Sequence, residues 1–324
     1  MATCGVGGED VTRLSPDRGK GTMNLVYYVN KRGNFGDDLN PVFFDSLCPD
    51  YRAIRKDVLY GIGTLLNESK GLISNSIIFG SGYGQGRAPQ VDARSTINLG
   101  VRGPITASVL GLEAASVMGD PALFLPKMDC FDQGVSESKH KVVLALHHKT
   151  AEFWDFSKAS IRNAHFLDPA CSSVFDYVAT IRSADLVLAE SMHAAIVAAA
   201  YRVPFIRVGI LNKVDNTKWK DFFLSVGLTA DSSAIPLHKP KLSVKRFVEL
   251  GLVGRKIIPH DYAYSKYAGP SDADLEAIDD AVNKVVSSIK PLLPVNSHLE
   301  EKQERCERAI YLLNEMARTT ESLC

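Results

Sequence analysis

The first segment that could do chemistry is Gly33-Asn34-Phe35-Gly36-Asp37-Asp38, which follows a predicted strand and precedes a predicted helix. Its glycines let the backbone approach a ligand closely. One of the two carboxylates can cap the helix while the other faces the ligand. We therefore expect Asn34 and Gly36 to bind a substrate and Asp37 to face it. The alternative is that both aspartates only cap the helix and turn the chain.

A second candidate is Arg102, within Val101-Arg102-Gly103-Pro104. Arg102 ends a predicted strand, Gly103 turns the chain, and Pro104 suits the first position of a helix. The guanidinium would then point into a cleft, where two parallel hydrogen bonds could hold a carboxylate or a phosphate. The alternative is a surface arginine paired with a nearby acid.

The third candidate is the junction Glu190-Ser191-Met192-His193, between the predicted strand DLVLA and an alanine-rich helix. Ser191 has the residue type of an N-cap, which places His193 in the first turn among unpaired backbone amides, where an anion can bind. The helix dipole disfavours a protonated imidazole there, whereas a phosphate dianion or Glu190 favours it, so the proton on His193 should depend on ligand. The alternative is a histidine that only hydrogen-bonds within a domain interface.

Two glycine turns directly follow predicted strands. They are Phe79-Gly80-Ser81-Gly82-Tyr83-Gly84 and Gly119-Asp120-Pro121. Neither matches a dinucleotide fingerprint or a P-loop, and each has an ordinary tight turn as its alternative. The residues expected at the substrate are Gly80, Ser81, Gly82 and Asp120.

The familiar signatures of hydrolases and metalloproteins are absent from the sequence. It has no G-x-S-x-G elbow, no H-E-x-x-H and no aspartate-rich calcium loop. His147 and His148 are adjacent, but at a strand end their side chains should point in opposite directions. We therefore expect neither histidine to be a metal ligand, and no metal site at all.

The composition is that of an ordinary globular protein of 324 residues, with 45% hydrophobic and 23% charged residues. Its 37 basic and 37 acidic side chains cancel, so no overall field would draw the chain to nucleic acid or anionic lipid. An anionic ligand must therefore be bound by local charges. The six cysteines lack C-x-x-C spacing and are expected to be reduced thiols of a cytosolic protein.

Short β-rich segments alternate with helical segments from Asn24 onward, which indicates crossover units and parallel sheets. The series stops in a polar stretch and starts again. We therefore predict an α/β protein with two Rossmann-like doubly wound domains that face a cleft. The predicted divisions are a flexible leader at 1–22, an N-terminal domain at 23–128, a linker at 129–140, a C-terminal domain at 141–235 and a mostly helical extension at 236–324.

Two amphipathic helices are predicted near the C-terminus. Ser271 and Asp274 form a capping-box-like start for the first helix. Its apolar stripe consists of Leu275, Ile278, Val282, Val285, Val286 and Ile289. The stripe of the second helix consists of Cys306, Ala309, Ile310, Leu313 and Met316.

The sequence contains no apolar stretch that approaches the ~18 residues of a membrane span. Its N-terminus also lacks the hydrophobic core of a signal peptide. We therefore expect a cytoplasmic protein without stable membrane insertion.

Five motifs, taken together and in order, resemble those of the polysaccharide pyruvyl transferase family. They are Gly-Asn-x-Gly-Asp at 33–37, the glycine turn at 80–84, Val-Arg-Gly-Pro at 101–104, Gly-Asp-Pro-Ala at 119–122 and Ser-x-His-x-x-Ile-x-Ala at 191–198. The later Val-Pro-Phe-Ile, followed by Lys218 ahead of Val226-Gly227-Leu228, is similar to the family's closing element. The opening Asn-Phe-Gly-Asp-Asp-Leu-Asn also resembles bacterial exopolysaccharide ketal-pyruvate transferases.

This resemblance implies a glycosyltransferase-B-like architecture with phosphoenolpyruvate as the donor and co-substrate. It implies no nucleotide sugar, no metal and no further cofactor. Arg102, His193 and Lys218 match the family's pattern and would hold the two acidic groups of the donor. Glu190 and Ser191 would lie in the same substrate-binding region.

The chain departs from the family's pattern at one place. Many members carry an arginine shortly before the motif histidine, whereas this chain has Ser191 and Met192 there. Other cations would then bind the phosphate, and the candidates are Arg207 and Lys213.

The implied reaction transfers pyruvate to a sugar of an exopolysaccharide, or of its lipid-linked repeat unit, and forms a ketal with release of phosphate. We hypothesise that Asp37 takes the proton of the acceptor hydroxyl and that His193 acts as an acid or steadies the departing phosphate. A lipid-linked acceptor would bring the protein to the inner face of the plasma membrane as a peripheral partner. The alternatives are a nucleotide-sugar-dependent glycosyltransferase of the same fold and a non-catalytic glycan-binding protein.

Overall fold

The computed structural model describes residues 23–67, 71–132, 140–170, 173–210, 216–229, 231, 233–238 and 269–322. The predicted leader at 1–22 lies outside the described residues, as do Lys213 and residues 133–139 of the predicted linker. Residues 239–268 of the predicted extension lie outside them as well.

The first half of the chain forms short strands, which are β1 Asn24–Val26, β2 Val58–Tyr60, β3 Leu72–Ile73, β4 Ser76–Phe79, β5 Gln90–Val91 and β6 Ile97–Gly100. A parallel sheet has the order β1-β2-β4-β6, and β3 pairs with β5 apart from it. Every residue of β4 is buried. This is the environment of a central parallel strand, which elements on both faces keep from water.

The second half forms another parallel sheet, from β7 His140–Ala145, β8 His165–Leu167, β9 Ala184–Ala189, β10 Phe205–Gly209 and β11 Ile235–Pro236. Its strand order is β11-β10-β9-β7-β8. After β7 the chain continues to β8 on one side, whereas β9, β10 and β11 follow on the other side. The strand order thus reverses between β7 and β9, and at such a reversal open α/β sheets form the crevice that binds ligands, at the carboxyl ends of the strands.

Helices connect the strands of both sheets. The α-helices of this part are α1 Phe35–Leu47, α2 Pro104–Val109, α3 His148–Phe153, α4 Val174–Arg182, α5 Met192–Ala200 and α6 Asn216–Ser225. Short 3-10 helices cover Tyr51–Ala53, Ala114–Ser116, Pro121–Lys127 and Asp129–Phe131. The prediction that Pro104 begins a helix after Gly103 is confirmed.

Helix α5 brings the two sheets into one core. Eight of its nine residues are buried, and its alanines let neighbouring elements approach closely. It packs on β9, β10 and the 3-10 helix Pro121–Lys127 of the first half. Residues of both sheets, such as Leu59 and Val187, therefore share a continuous apolar core. The predicted boundary between two domains stays a prediction.

Two helices end the described chain, as predicted. Helix α7 Asp272–Ser288 has the predicted capping box of Ser271 and Asp274. Its buried residues Ile278, Val282 and Val285 join the core beside the second sheet, whereas Val286 and Ile289 of the predicted stripe are exposed.

Helix α8 Asn296–Glu321 returns to the first half of the chain. The side chain of Gln303 donates a hydrogen bond to the carbonyl of Leu123 (3.0 Å), and Asn314 donates to the carbonyl of Leu47 (2.9 Å). The apolar stripe of α8 is buried at Cys306, Ala309, Ile310 and Leu313, with Met316 half-buried against the same core. The C-terminal helix is thus an integral part of the folded unit.

Replacing Leu313 by alanine tests this packing. Leu313 is 0% exposed, so Leu313→Ala should lower the free energy of unfolding by about 2–5 kcal/mol through lost burial and a cavity. The neighbouring Leu312 is 41% exposed, and Leu312→Ala serves as the matched control, with an expected change of about 0.5 kcal/mol or less. Urea unfolding measures both. Equal midpoints for the two variants would show that α8 does not pack in this way.

Candidate active site

His193 lies at the crevice between β7 and β9. Ser191 occupies the N-cap position of α5, although its side chain makes no capping hydrogen bond, and His193 is in the first turn. The prediction that a helix begins here is confirmed. The buried Nε2 atom of His193 has no hydrogen-bond partner among the described residues. A buried polar nitrogen without a partner marks a place where a ligand or water is expected.

Gly36 lets the first turn of α1 contact the imidazole of His193. Any side chain at position 36 would overlap the histidine ring. The backbone amide of Phe35 donates a hydrogen bond to the carbonyl of Pro169 (2.7 Å), so this turn also contacts the loop after β8. The glycine-bearing segment and the motif histidine, 157 positions apart in numbering, therefore form one site.

Asp37 and Asp38 have separate surroundings. Oδ2 of Asp38 accepts a hydrogen bond from the backbone amide of Asn34 (2.8 Å), which is the capping arrangement expected for one of the two aspartates. Burial raises the pKa of Asp38, and the Asn34 amide opposes that rise. Asp37 is buried, accepts a hydrogen bond from the side-chain amide of Asn34 and lies beside Gly63 after β2. The catalytic role of Asp37 stays a prediction.

Asn40, which the sequence did not single out, fixes α1 to the loop after β2. Its Nδ2 donates to the carbonyls of Asp37 and Ile62 (both 3.0 Å), and its Oδ1 accepts from the amide of Ile62 (2.7 Å). Gly61 makes room for this side chain. The available signal was a polar residue on the apolar face of the helix, one turn after Gly36.

Glu190 joins the ends of three strands. Its Oε1 accepts hydrogen bonds from Thr150 Oγ1 (2.9 Å) and from the amide of Ile210 (2.8 Å), and its Oε2 accepts from the amide of His147 (3.0 Å). The side chain is fully buried. Glu190 therefore holds the floor of the crevice together, and a direct contact with substrate stays a prediction.

Arg102 is fully buried, so the alternative of a surface arginine is wrong. Its guanidinium donates hydrogen bonds to Asp221 Oδ2 (3.2 Å), Thr64 Oγ1 (2.9 Å) and the carbonyl of Tyr83 (2.7 Å). These contacts enclose Arg102, whereas the sequence predicted that it would point into an open cleft. A contact with substrate stays a prediction.

Asp221, on α6, is the buried acid that pairs with Arg102. It also accepts hydrogen bonds from the amide (3.0 Å) and hydroxyl (2.7 Å) of Thr106, on α2. Gly103 permits this close approach of α6. Sequence analysis missed Asp221, for which the available signal was an acid between aromatic residues in Trp219-Lys220-Asp221-Phe222-Phe223.

The glycine turn after β4 is a tightly packed turn that makes room for its neighbours. A side chain at Gly80 would overlap Pro121, and one at Gly82 would overlap the guanidinium of Arg102. The buried hydroxyl of Ser81 donates to the carbonyl of Gly61. Their substrate contacts stay predictions.

Asp120 caps the 3-10 helix Pro121–Lys127, since its Oδ1 accepts a hydrogen bond from the amide of Ala122 (3.0 Å). Its other oxygen is buried and has no partner among the described residues. Burial raises the pKa of Asp120 to about 6, an effect that Arg102 opposes and Asp221 adds to. Asp120 thus lies within the charge cluster around Arg102.

Two further predicted cations, Arg207 and Lys218, lie in different surroundings. Arg207, on β10, is buried, donates a hydrogen bond to Asn216 Oδ1 (2.8 Å) and lies over the ring of Trp219 (4.5 Å). Lys218, on α6, lies close enough to His193 for its charge to lower the pKa of that histidine.

The electrostatic environment of His193 favours an anion. Burial, followed by the charges of Lys218 and Arg102, lowers the pKa of His193 to about 3. The imidazole is therefore neutral at pH 7 in the ligand-free protein. A bound dianion would place negative charge beside the ring, which would raise the pKa of His193 and favour the protonated form. Although the chain has no net charge, Lys218 and Arg102 place positive charge near this histidine.

The expected geometry of His147 and His148 is wrong. Their rings lie side by side, with centroids 4.2 Å apart, because the two residues begin α3 instead of ending a strand. Nδ1 of His147 accepts a hydrogen bond from the amide of Lys149 (3.3 Å). Within the described ranges, no cluster of three or more His, Cys, Asp or Glu side chains could hold a metal ion.

Comparison with known proteins decides the family. Residues 68–212 match the model of the polysaccharide pyruvyl transferase family. The chain is also 31% identical over 219 residues to the succinoglycan biosynthesis protein ExoV of Rhizobium meliloti (strain 1021), covering 66% of this chain and 68% of that protein. The chain belongs to the polysaccharide pyruvyl transferase family. No solved structure matches it.

This pyruvyl transferase contains several of its predicted site residues within the family match, among them Arg102, Glu190 and His193. Asp37 and Lys218 lie outside the matched range. In the part of the transferase that the structure describes, no helix is long and apolar enough to cross a membrane.

A double-mutant cycle tests whether Gly36 acts through His193. His193→Ala should lower pyruvyl-transfer turnover about 100-fold or more if the imidazole transfers a proton. Gly36→Ala should also lower turnover strongly, because its new methyl group displaces the ring. The double variant should be no slower than His193→Ala alone, since coupled residues are not additive. Fully additive losses, with all variants folded, would contradict the direct contact.

Proposed function

We propose that this transferase takes pyruvate from phosphoenolpyruvate and attaches it as a ketal to a sugar of an exopolysaccharide or of its lipid-linked repeat unit. The observation that carries the proposal is the buried Nε2 of His193, which has no hydrogen-bond partner among the described residues and lies at the reversal of strand order, near the charge of Lys218. The similarity to ExoV, a succinoglycan biosynthesis protein, supports an exopolysaccharide acceptor.

Phosphoenolpyruvate fits the charges of the crevice. It carries a phosphate and a carboxylate, and both need cationic or N–H donors. Lys218 and the first turn of α5 would bind these groups, with Arg102 adding positive charge from behind the turn at Gly82. No metal or further cofactor enters the proposed reaction.

Ketal formation requires one proton to reach the methylene carbon and two sugar hydroxyls to lose theirs. One hydroxyl oxygen bonds to the central carbon as the methylene carbon is protonated. The bond between the central carbon and the phosphate oxygen then breaks, the second hydroxyl oxygen bonds to that carbon and closes the ring, and the second hydroxyl proton leaves with the phosphate. Asp37 would accept a hydroxyl proton. His193 would donate a hydrogen bond to the departing phosphate, and it would act as an acid once the bound dianion has raised its pKa.

The architecture that we propose is glycosyltransferase-B-like, with one parallel sheet in each of two units and the reaction between them. Gly36 lies in the first turn of α1, in the first half of the chain, and His193 follows β9 in the second half. Their contact supports this arrangement. The acceptor would enter from the side of Asp37 and Gly63. A lipid-linked acceptor would place the protein at the inner face of the plasma membrane, and the enzyme would otherwise act in the cytoplasm.

Donor specificity tests the proposal. Phosphoenolpyruvate should raise the melting temperature of the purified protein in proportion to the logarithm of its concentration above Kd. Uridine and cytidine sugar nucleotides should not. With a glycan acceptor, mass spectrometry should then detect the added pyruvate ketal together with release of phosphate. Protection by a sugar nucleotide and not by phosphoenolpyruvate would favour the glycosyltransferase alternative, and glycan binding without transfer would favour a binding protein.

A further inference from the structure

Two further imidazoles, those of His147 and His148, lie at the same edge of the second sheet as His193. His147 and His148 come after the end of β7, and His193 comes after the end of β9, so the three histidines lie at the carboxyl ends of the two strands between which the strand order reverses. The rings of His147 and His148 are 4.2 Å apart. The ring of Tyr28, from the loop after β1, lies 6.4 Å from that of His148.

This histidine pair is held by both halves of the chain. Glu190 accepts the amide hydrogen of His147. From the first half, Asn30 donates a hydrogen bond to Glu152 of α3 (2.8 Å), and Arg32 pairs with Asp168 after β8. The loop after β1 is thereby fixed to α3 and to the loop after β8. The side chain of His148 is half-buried, and the segment that carries it is held by residues of both halves of the chain.

Only one member of the pair can take up a second proton without loss of an existing hydrogen bond. Nδ1 of His147 accepts the amide hydrogen of Lys149, so protonation at that atom would remove a helix cap. The ring of His148, in contrast, makes no hydrogen bond to another residue of the described part of the chain. Its ring nitrogens can therefore bind a ligand without loss of an existing contact.

We propose that His148 is a second phosphate-binding imidazole of the active site, which takes up a proton from solvent when the dianionic phosphate of the donor binds. This inference rests on the proposed function and extends it by a residue outside the recognised motifs. His193 and His148 would then contact the phosphate from the ends of two adjacent strands.

The charges around His148 explain why the proton arrives only with the ligand. Burial, followed by Lys218 and Lys149, lowers the pKa of His148 to about 3. The same cations and the two neighbouring histidines hold the pKa of His147 well below its ordinary value, after burial as the main cause. Lys149 of α3 and Lys218 of α6 thus act on both rings, His193 of α5 acts on His147, and the ring of Tyr28 lies beside His148. A bound dianion adds the missing negative charge and favours protonation.

The direct test is NMR of the wild-type protein labelled with 13C in histidine. The chain has eight histidines, and the His148 signal is assigned from its absence in His148→Phe or, if that variant does not fold, in His148→Gln. At pH 6.5, saturating phosphoenolpyruvate or inorganic phosphate should move this ring signal from the neutral toward the protonated position. Pyruvate, which lacks the phosphate, should leave it unchanged.

The matched control is the stacked pair His140 and His165, whose rings are 4.1 Å apart near the opposite end of the second sheet. The signal of His165 should not respond to phosphate. His148→Phe keeps an aromatic ring beside Tyr28 and should weaken phosphoenolpyruvate binding about 10-fold or more, as expected for loss of a hydrogen bond to a charged group. His165→Phe should bind as the wild type does.

The outcomes separate this inference from the proposed function. A His148 signal that stays neutral while phosphoenolpyruvate demonstrably binds would overturn the role of His148 and leave the donor assignment intact. The same holds if pyruvate alone moves the signal. If phosphoenolpyruvate does not bind the wild-type protein at all, the proposed function fails and this inference fails with it.

Discussion

The contact between Gly36 and the imidazole of His193 is the constraint on which the site depends. It brings the loop after β1 to the start of α5, which lies on the other sheet, and it allows no side chain between them. Buried polar residues fix both sides of the contact. Asn40 holds α1 to the loop after β2, and Glu190 holds the ends of β7, β9 and β10. The alanines of α5 provide the close packing beneath it.

The charges of the site follow from the same packing. Burial beside Arg102 and Lys218 makes a proton on His193 unfavourable. Arg102 itself is neutralised in the interior by Asp221, because a buried guanidinium without a partner would be strongly destabilising. Before a ligand arrives, the site therefore has a neutral imidazole with the positive charge of Lys218 near it. A dianionic ligand would offset this positive charge and would favour a proton on His193.

The sequence predicted the elements with strong local signals. Gly103 and Pro104 indicated the start of α2, Ser271 and Asp274 indicated the capping box of α7, and alternating strands and helices indicated parallel sheets. These features depend on residues a few positions apart. The site depends on distant ones. The partner of Arg102 lies 119 positions away, and nothing near Arg102 identifies Asp221.

His147 and His148 illustrate a different failure. A period of two places neighbouring side chains on opposite faces only while the chain stays extended, but β7 ends at Ala145 and the helical turn begins at His148. The predicted boundary between β7 and α3 was wrong, and for this reason the sequence did not predict that the two imidazoles lie side by side.

The most direct measurement of the central claim is a crystal structure of the protein with phosphoenolpyruvate. We predict that the phosphate lies between the carboxyl ends of β7 and β9, within hydrogen-bond distance of Nε2 of His193. A donor phosphate bound elsewhere on the protein, with His193 Nε2 still lacking a ligand, would contradict the account.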